Sequence, residues 1–299
     1  MKIIFFGTPD FAIPSLEIIL KNHHEIVAVV TAPDKQRGRG KQISFTPVKE
    51  FALKHSLKVL QPEDLKVENF IAQLKNMEAE LFVVVAFRIL PKEIFSIPKF
   101  GSFNLHGSLL PKYRGAAPIQ WALIKGEKKT GVTTFALAEK VDTGNVYLKK
   151  EIQIEDEDDF GSLHDKLSLL GSQAIKETIE MINSQKFQLL SQDNSFATPA
   201  PKITKELCEI DWEKDANDIH NLVRGLSPFP AAFFTHQQKS FKIFKTKVVE
   251  RNLISGEIYE TPGELIFGCG KNSLSILEIQ LEGKKRLKIE EFLRGHRFK

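Results

Sequence analysis

FNLHGSLLPKYRGAAPIQWAL, residues 103–123, decides how the chain is read. It continues an apolar run, GSFNLH at 101–106, that reads as a strand. It then turns through glycine and proline and opens a helix at Pro118, a residue suited to the first helical position. Asn104 and His106 sit two apart, so on a strand both point to one face. Two hydrogen-bonding side chains at a strand end suit a reactive site, and an ordinary surface loop would also carry them. The flanking sequence has to decide.

Upstream, strand-like and helix-like runs alternate. Residues 2–6 are apolar and close on Gly7, EIVAVV spans 25–30, LKVL spans 57–60 and LFVVVA spans 81–86. Between them lie FAIPSLEIILK at 11–21, a helix start at Thr46 and Pro47, and a helix running to about residue 76. The strand cores are apolar without alternation, the pattern of a parallel sheet covered on both faces. After residue 130 the pattern changes. GVTTFAL and NVYLKKEIQI read as neighbouring strands joined by a VDTG turn, and one long helix follows from about 161 to 182.

Residues 184–205 are polar, contain two prolines, and read as a linker. Beyond it, a helix around DANDIHNLVRGL precedes short alternating strands separated by glycine and proline. That pattern predicts a small β-barrel of oligonucleotide-binding type. The expected architecture is therefore α/β and Rossmann-like over 1–183, a linker at 184–205, and an OB-like barrel over 206–299.

Composition removes several function classes. The longest apolar run, LFVVVAF, is far too short to span a bilayer, and the start MKIIFFGTPD does not read as a signal peptide. Only two cysteines occur, Cys208 and Cys269, without metal or disulfide spacing, which fits a reducing, cytoplasmic setting. The eight histidines form no HxxxH pair, so no metal is expected. Gly7 stands alone where a dinucleotide fingerprint needs GxGxxG, and no GxxxxGK[ST] exists. A doubly wound sheet without that fingerprint is expected to bind its ligand at another strand's carboxyl end.

Net charge is +4, but its distribution says more. Lys35, Arg37, Arg39 and Lys41 form one basic block. Lys239, Lys242, Lys245 and Lys247 form a second, and Lys284, Lys285 and Arg286 lead a third. The acids gather in EIQIEDEDD at 151–159. Any one block alone reads as a solvated face. Three of them, with a separate acidic patch, make a nucleic-acid partner an expectation.

An Asn amide can donate to a developing oxyanion, and a His can hold or accept a proton near neutral pH. Asp142 in KVDTGN is the best carboxylate to orient the imidazole, although DTG equally suits an Asx-turn. Taken singly, each of these residues has an ordinary turn explanation.

Together, FNLHGSLLPKYRGAAPIQWAL and the downstream VDTG closely resemble the folate-dependent formyltransferase family. The likeness extends through FGTPDFA at 6–12, TAPDKQRGRGK at 31–41 and VVVAF at 83–87 to the C-terminal β region. Where relatives commonly show AYG, this chain has Ala86, Phe87 and Arg88. The resemblance implies 10-formyltetrahydrofolate as formyl donor and the α-amino group of initiator methionyl-tRNA as acceptor. It implies Asn104, His106 and Asp142 as the catalytic set, with Ser108, Leu109, Leu110 and Pro111 lining the folate pocket. The 35–41 block and Lys284, Lys285 and Arg286 are then expected to grip tRNA. The protein is expected to act as a cytoplasmic monomer, off the membrane. A formyltransferase acting on an amino sugar nucleotide is the alternative, followed by a non-catalytic RNA-binding protein. An oxidoreductase lacks its glycine fingerprint.

Overall fold

Five of the apolar runs become the parallel centre of a seven-stranded sheet. The computed structural model describes residues 1–37 and 42–298. The sheet strands are β1 Lys2–Gly7, β2 Glu25–Val30, β3 Val59–Leu60, β4 Leu81–Val85, β5 Ser102–His106, β6 Lys129–Ala136 and β7 Val146–Gln153. Their spatial order is β7-β6-β5-β4-β1-β2-β3. The pairs β1–β2, β1–β4, β2–β3 and β4–β5 are parallel, and β5–β6 is antiparallel. The chain winds outward from β1 to β3 and then crosses to β4 on the other side. That reversal is the switch point at which open α/β sheets seat ligands.

The helices are α1 Ile13–Lys21, α2 Pro47–Lys54, α3 Glu68–Lys75, α4 Lys92–Phe95, α5 Pro118–Ile124, α6 Phe160–Ser184, α7 Ala216–Leu226 and α8 Ile289–Phe292. Thr46 caps α2 as its sequence predicts, its side chain accepting from Lys49 N at 3.1 Å. On one face of the sheet, Ile4, Phe6, Val30, Phe82 and Val84 pack with Phe70 and Leu74 of α3 and Ile94 of α4. On β5, Leu105 approaches α6 so closely that a Cβ on Gly171 would meet Leu105 Cδ2 at 2.5 Å. Any larger residue there would displace the Leu105 side chain or the helix.

The chain divides into two compact units. One comprises Met1–Gly115, Thr130–Ile152 and His164–Pro199; the other comprises Ala116–Lys129, Gln153–Leu163 and Ala200–Lys299. In the second, β8 Ala232–His236, β9 Lys239–Val249, β10 Ile258–Glu260, β11 Leu265–Gly268 and β12 Ser273–Leu281 form an antiparallel sheet in the order β8-β9-β12-β11-β10, with Leu287–Lys288 paired to β12. This curled sheet is the small β fold that the alternating runs predict. It encloses Phe234, Phe241, Phe267 and Phe298 together with the buried face of α7, Ile219, Val223 and Leu226. Trp212 stacks on Phe267 at 4.3 Å. Asp215 caps α7 by accepting from Asn217 N at 2.8 Å.

Candidate active site

Strand β5 is central, so its backbone is fixed from both sides. Asn104 lies opposite Val84 of β4 and Phe135 of β6, and His106 lies opposite Thr133. The two side chains share a face, as their spacing predicts. Asn104 is half-buried, and among the described residues its amide has no intramolecular hydrogen-bonding partner. His106 is 6% exposed. Its Nε2 lies 2.8 Å from the Tyr113 carbonyl. A carbonyl only accepts, so Nε2–H donates. That leaves Nδ1 to face Asp142, whose Oδ2 is 3.8 Å away.

The turn between β6 and β7 delivers Asp142 with φ at +55°, a left-handed conformation that Asp tolerates better than most residues. Its side chain is 10% exposed, and its Oδ2 accepts from Gly115 N at 2.9 Å. The carboxylate is therefore held by backbone, close to the imidazole yet beyond direct hydrogen-bond reach. The three residues chosen from sequence are brought together.

The turn after β5 is internally braced. Ser108 Oγ donates to Lys112 O at 2.6 Å, Thr133 Oγ1 donates to Ser108 O at 2.7 Å, and Leu110 N donates to Thr133 Oγ1 at 3.0 Å. The Leu110–Pro111 peptide is cis. Ser108 and Leu110 are fully buried, and Leu110 packs on Phe135 and Val146. Leu109 and Pro111 are half-buried.

A cavity of about 500 Å³ lies elsewhere in the same unit, between the segments that follow β3 and β4. Leu65, Ile89, Leu90, Pro91 and Phe95 supply its apolar lining, and Glu63, Asp64, Lys66, Arg88, Lys92 and Glu139 its polar groups. None of Ser108 to Pro111 is among its lining residues. Arg88 ties the two segments together: NH1 donates to Glu63 O at 2.8 Å and NH2 to Pro62 O at 2.6 Å. Its Nε is buried without a partner. Lys92 Nζ donates to Glu139 Oε1 at 2.5 Å, which holds the Glu139 carboxyl below its usual range and the Lys92 ammonium above its own. Ile89, 73% exposed, offers a bare apolar side chain beside this pair.

Of the basic blocks, Lys35 is exposed, and Lys35–Arg37 forms a short antiparallel ladder with Gln42–Ser44. Arg39 and Lys41 lie outside the described residues. Lys284 and Lys285 are exposed. Arg286 is committed to its own sheet: Nε donates to Glu278 Oε2 at 2.6 Å, and its guanidinium sits over the Phe244 ring at 4.4 Å. Among the described residues, no group of three His, Cys, Asp or Glu side chains is placed to hold a metal, and no helix is long and apolar enough to cross a membrane.

Sequence reading missed Tyr113 and Gly115, which hold His106 and Asp142 through backbone atoms. Backbone partners leave no residue-type signal.

A family model described as formyl transferase matches residues 1–179, and one described as formyl transferase, C-terminal domain, matches residues 202–297. A methionyl-tRNA formyltransferase of Caldanaerobacter subterraneus subsp. tengcongensis is 48% identical, covering 99% of this chain and 97% of that relative. Among solved structures, WlaRD, described as a sugar 3N-formyl transferase, superposes with a TM-score of 0.71 at 22% identity, covering 95% of this chain and 99% of its own. HypX from Aquifex aeolicus, in complex with tetrahydrofolic acid, superposes with a TM-score of 0.67 at 19% identity over 98% of this chain. The chain spans about half of HypX, 47% of its length. At those identities the two structures speak for the fold.

Proposed function

Since the chain belongs to the formyl transferase family over both of its regions, we propose that it transfers a formyl group from 10-formyltetrahydrofolate to the α-amino group of initiator methionyl-tRNA, for translation initiation. It is a one-carbon group transferase, and 10-formyltetrahydrofolate is its co-substrate. The observation that carries the choice of acceptor is full-length likeness to a methionyl-tRNA formyltransferase at 48% identity. That likeness does not favour the alternatives, a sugar-nucleotide formyltransferase and a non-catalytic RNA-binding protein.

In this reading the amine nitrogen attacks the formyl carbon, forming a C–N bond and placing negative charge on the formyl oxygen. Asn104 donates to that oxyanion from its uncommitted amide. His106 acts through Nδ1, because its Nε2–H is engaged by the Tyr113 carbonyl. Asp142 Oδ2 faces Nδ1 at 3.8 Å, a gap that one bridging water can span. Collapse breaks the bond between the formyl carbon and N10 of the folate. The proton lost by the amine ends on N10, leaving tetrahydrofolate and a formamide. No covalent enzyme intermediate is required.

The cavity at Arg88 to Phe95 suits the folate: its volume falls in the range of ligand pockets and its lining mixes apolar side chains with a few charges. Ser108 to Pro111 then wall the reacting formyl group, Leu109 and Pro111 being the half-buried members. Residues 1–183 carry catalysis, 184–205 connect, and 206–299 bind tRNA. Lys35, Arg37, Arg39 and Lys41 grip the acceptor stem, and Lys284 and Lys285 hold another part of the tRNA, Arg286 being paired with Glu278. The enzyme works in the cytoplasm as a monomer.

The test is formyl transfer from 10-formyltetrahydrofolate to charged initiator tRNA, run beside an amino sugar nucleotide. Transfer to the tRNA alone is expected. Transfer only to the sugar nucleotide overturns the reading.

A further inference from the structure

Gln192, in the polar segment before Pro199, occupies a position that only a carboxamide satisfies. Its Nε2 lies 3.0 Å from the Asp142 carbonyl and 2.8 Å from the Gly144 carbonyl. Its Oε1 lies 2.7 Å from Arg114 NH2. Carbonyls only accept and a guanidinium only donates, so the orientation of the amide is fixed from both ends. Two acceptors and one donor converge on one planar amide, which must itself supply two donors and one acceptor. No other uncharged side chain but Asn carries that set, and Asn is one methylene shorter.

The neighbours extend the clamp. Arg114 NH2 also donates to Asn194 Oδ1 at 2.8 Å. Arg114 N donates to Thr198 O at 2.9 Å, and Tyr113 N donates to Thr198 Oγ1 at 2.9 Å. One stretch, 192–198, therefore holds Asp142 through Gln192 and Tyr113 through Thr198. Asp142 and Tyr113 are the two groups that face the nitrogens of His106.

We infer that Gln192 is a positioning residue for formyl transfer: it fixes the turn at 142–144, and so the distance from Asp142 to His106, without meeting either substrate. This rests on the formyl-transfer reading above. An ångström of misplacement in a reacting group can cost on the order of 10²-fold in rate, whereas binding contacts made elsewhere are untouched.

Gln192→Glu tests it, because a carboxylate keeps the Arg114 partner and loses both donors to the turn. Gln192→Met, of similar shape and without hydrogen bonds, carries the same test if the Glu variant does not fold. In the full chain, kcat is expected to fall roughly 10- to 100-fold, with KM for 10-formyltetrahydrofolate and for methionyl-tRNA within about twofold of the parent. Exchange of the Gly115 amide, which donates to Asp142 Oδ2, is expected to speed up about tenfold or more. A folded variant with parental kcat, a loss confined to KM, or unchanged Gly115 exchange overturns the inference. A parent that formylates no methionyl-tRNA sinks the function proposed above instead, and the exchange measurement still decides the role of Gln192.

Discussion

His106 Nδ1 and Asp142 Oδ2 stand 3.8 Å apart, within ion-pair range and outside hydrogen-bond range, while the same Asp142 oxygen accepts from Gly115 N at 2.9 Å. Shape and charge at this position can therefore be separated. Asp142→Asn keeps an oxygen for Gly115 and removes the charge. It should lower kcat by about 10²–10³ while leaving the melting temperature nearly unchanged, as read by single-turnover assay and thermal melt. Turnover close to the parent's would return Asp142 to an ordinary turn residue. His106→Ala is a poorer probe, since it also empties a buried site and strands the Tyr113 carbonyl.

The cavity makes a separate claim on folate. Ile89→Asp places a carboxylate where a folate ring would cover it. KM for 10-formyltetrahydrofolate should rise about tenfold, the equivalent of roughly 1.4 kcal/mol, and KM for methionyl-tRNA should not change. An unaltered folate KM would move the folate away from this cavity.

The basic residues should not behave alike. Lys284→Gln and Lys285→Gln each remove an exposed charge, so each should flatten the salt dependence of tRNA binding by roughly 0.7–0.9 in log–log slope for every phosphate it contacts. Arg286→Gln should lower stability more than it changes that slope, because its guanidinium is already paired with Glu278. Arg39→Ala should weaken use of methionyl-tRNA and spare folate binding. Filter binding across a salt series, with thermal melts alongside, separates these outcomes.

His220 predicts an acid sensitivity. Its Nδ1 lies 2.9 Å from Thr246 Oγ1, and burial first, then the Arg224 guanidinium, push its pKa below the usual value despite opposing pulls from Glu157 and Asp156. A histidine depressed on folding supports the fold above its unfolded pKa, about 6.5, and that support is lost as pH falls through the folded value. The melting temperature should therefore drop as pH falls below about 6.5, and His220→Gln should flatten that drop. A parallel decline in both proteins would assign the sensitivity to other groups.

Local signals made much of this legible in the sequence. The parallel strands show as unbroken apolar runs because both faces of β1 and β4 are buried, and the same-face pairing of Asn104 and His106 follows from the period of a strand. The Thr46 cap is equally local. Arg286 resisted reading because its partner Glu278 lies across an antiparallel pairing that composition does not register. Gln192 hid in a stretch whose polarity suggested nothing but a tether, since a side chain bonded to distant carbonyls leaves no periodic trace. The cavity was missed for a related reason: its walls come from segments after two different strands, joined by the bonds of Arg88 to the Pro62 and Glu63 carbonyls.

The stretch from Gln192 to Thr198 also bears on how the protein can be divided. A fragment ending at residue 183 would keep Asn104, His106 and Asp142 yet lose the amide that holds the 142–144 turn and the hydroxyl that holds Tyr113. A nick by protease near residue 186 should leave the two pieces associated through these bonds and through the Val146–Leu190 backbone pair, with the nicked enzyme still turning over. A split-enzyme reporter made from this chain should accordingly keep Gln192 to Thr198 on the same piece as Asp142 and Tyr113.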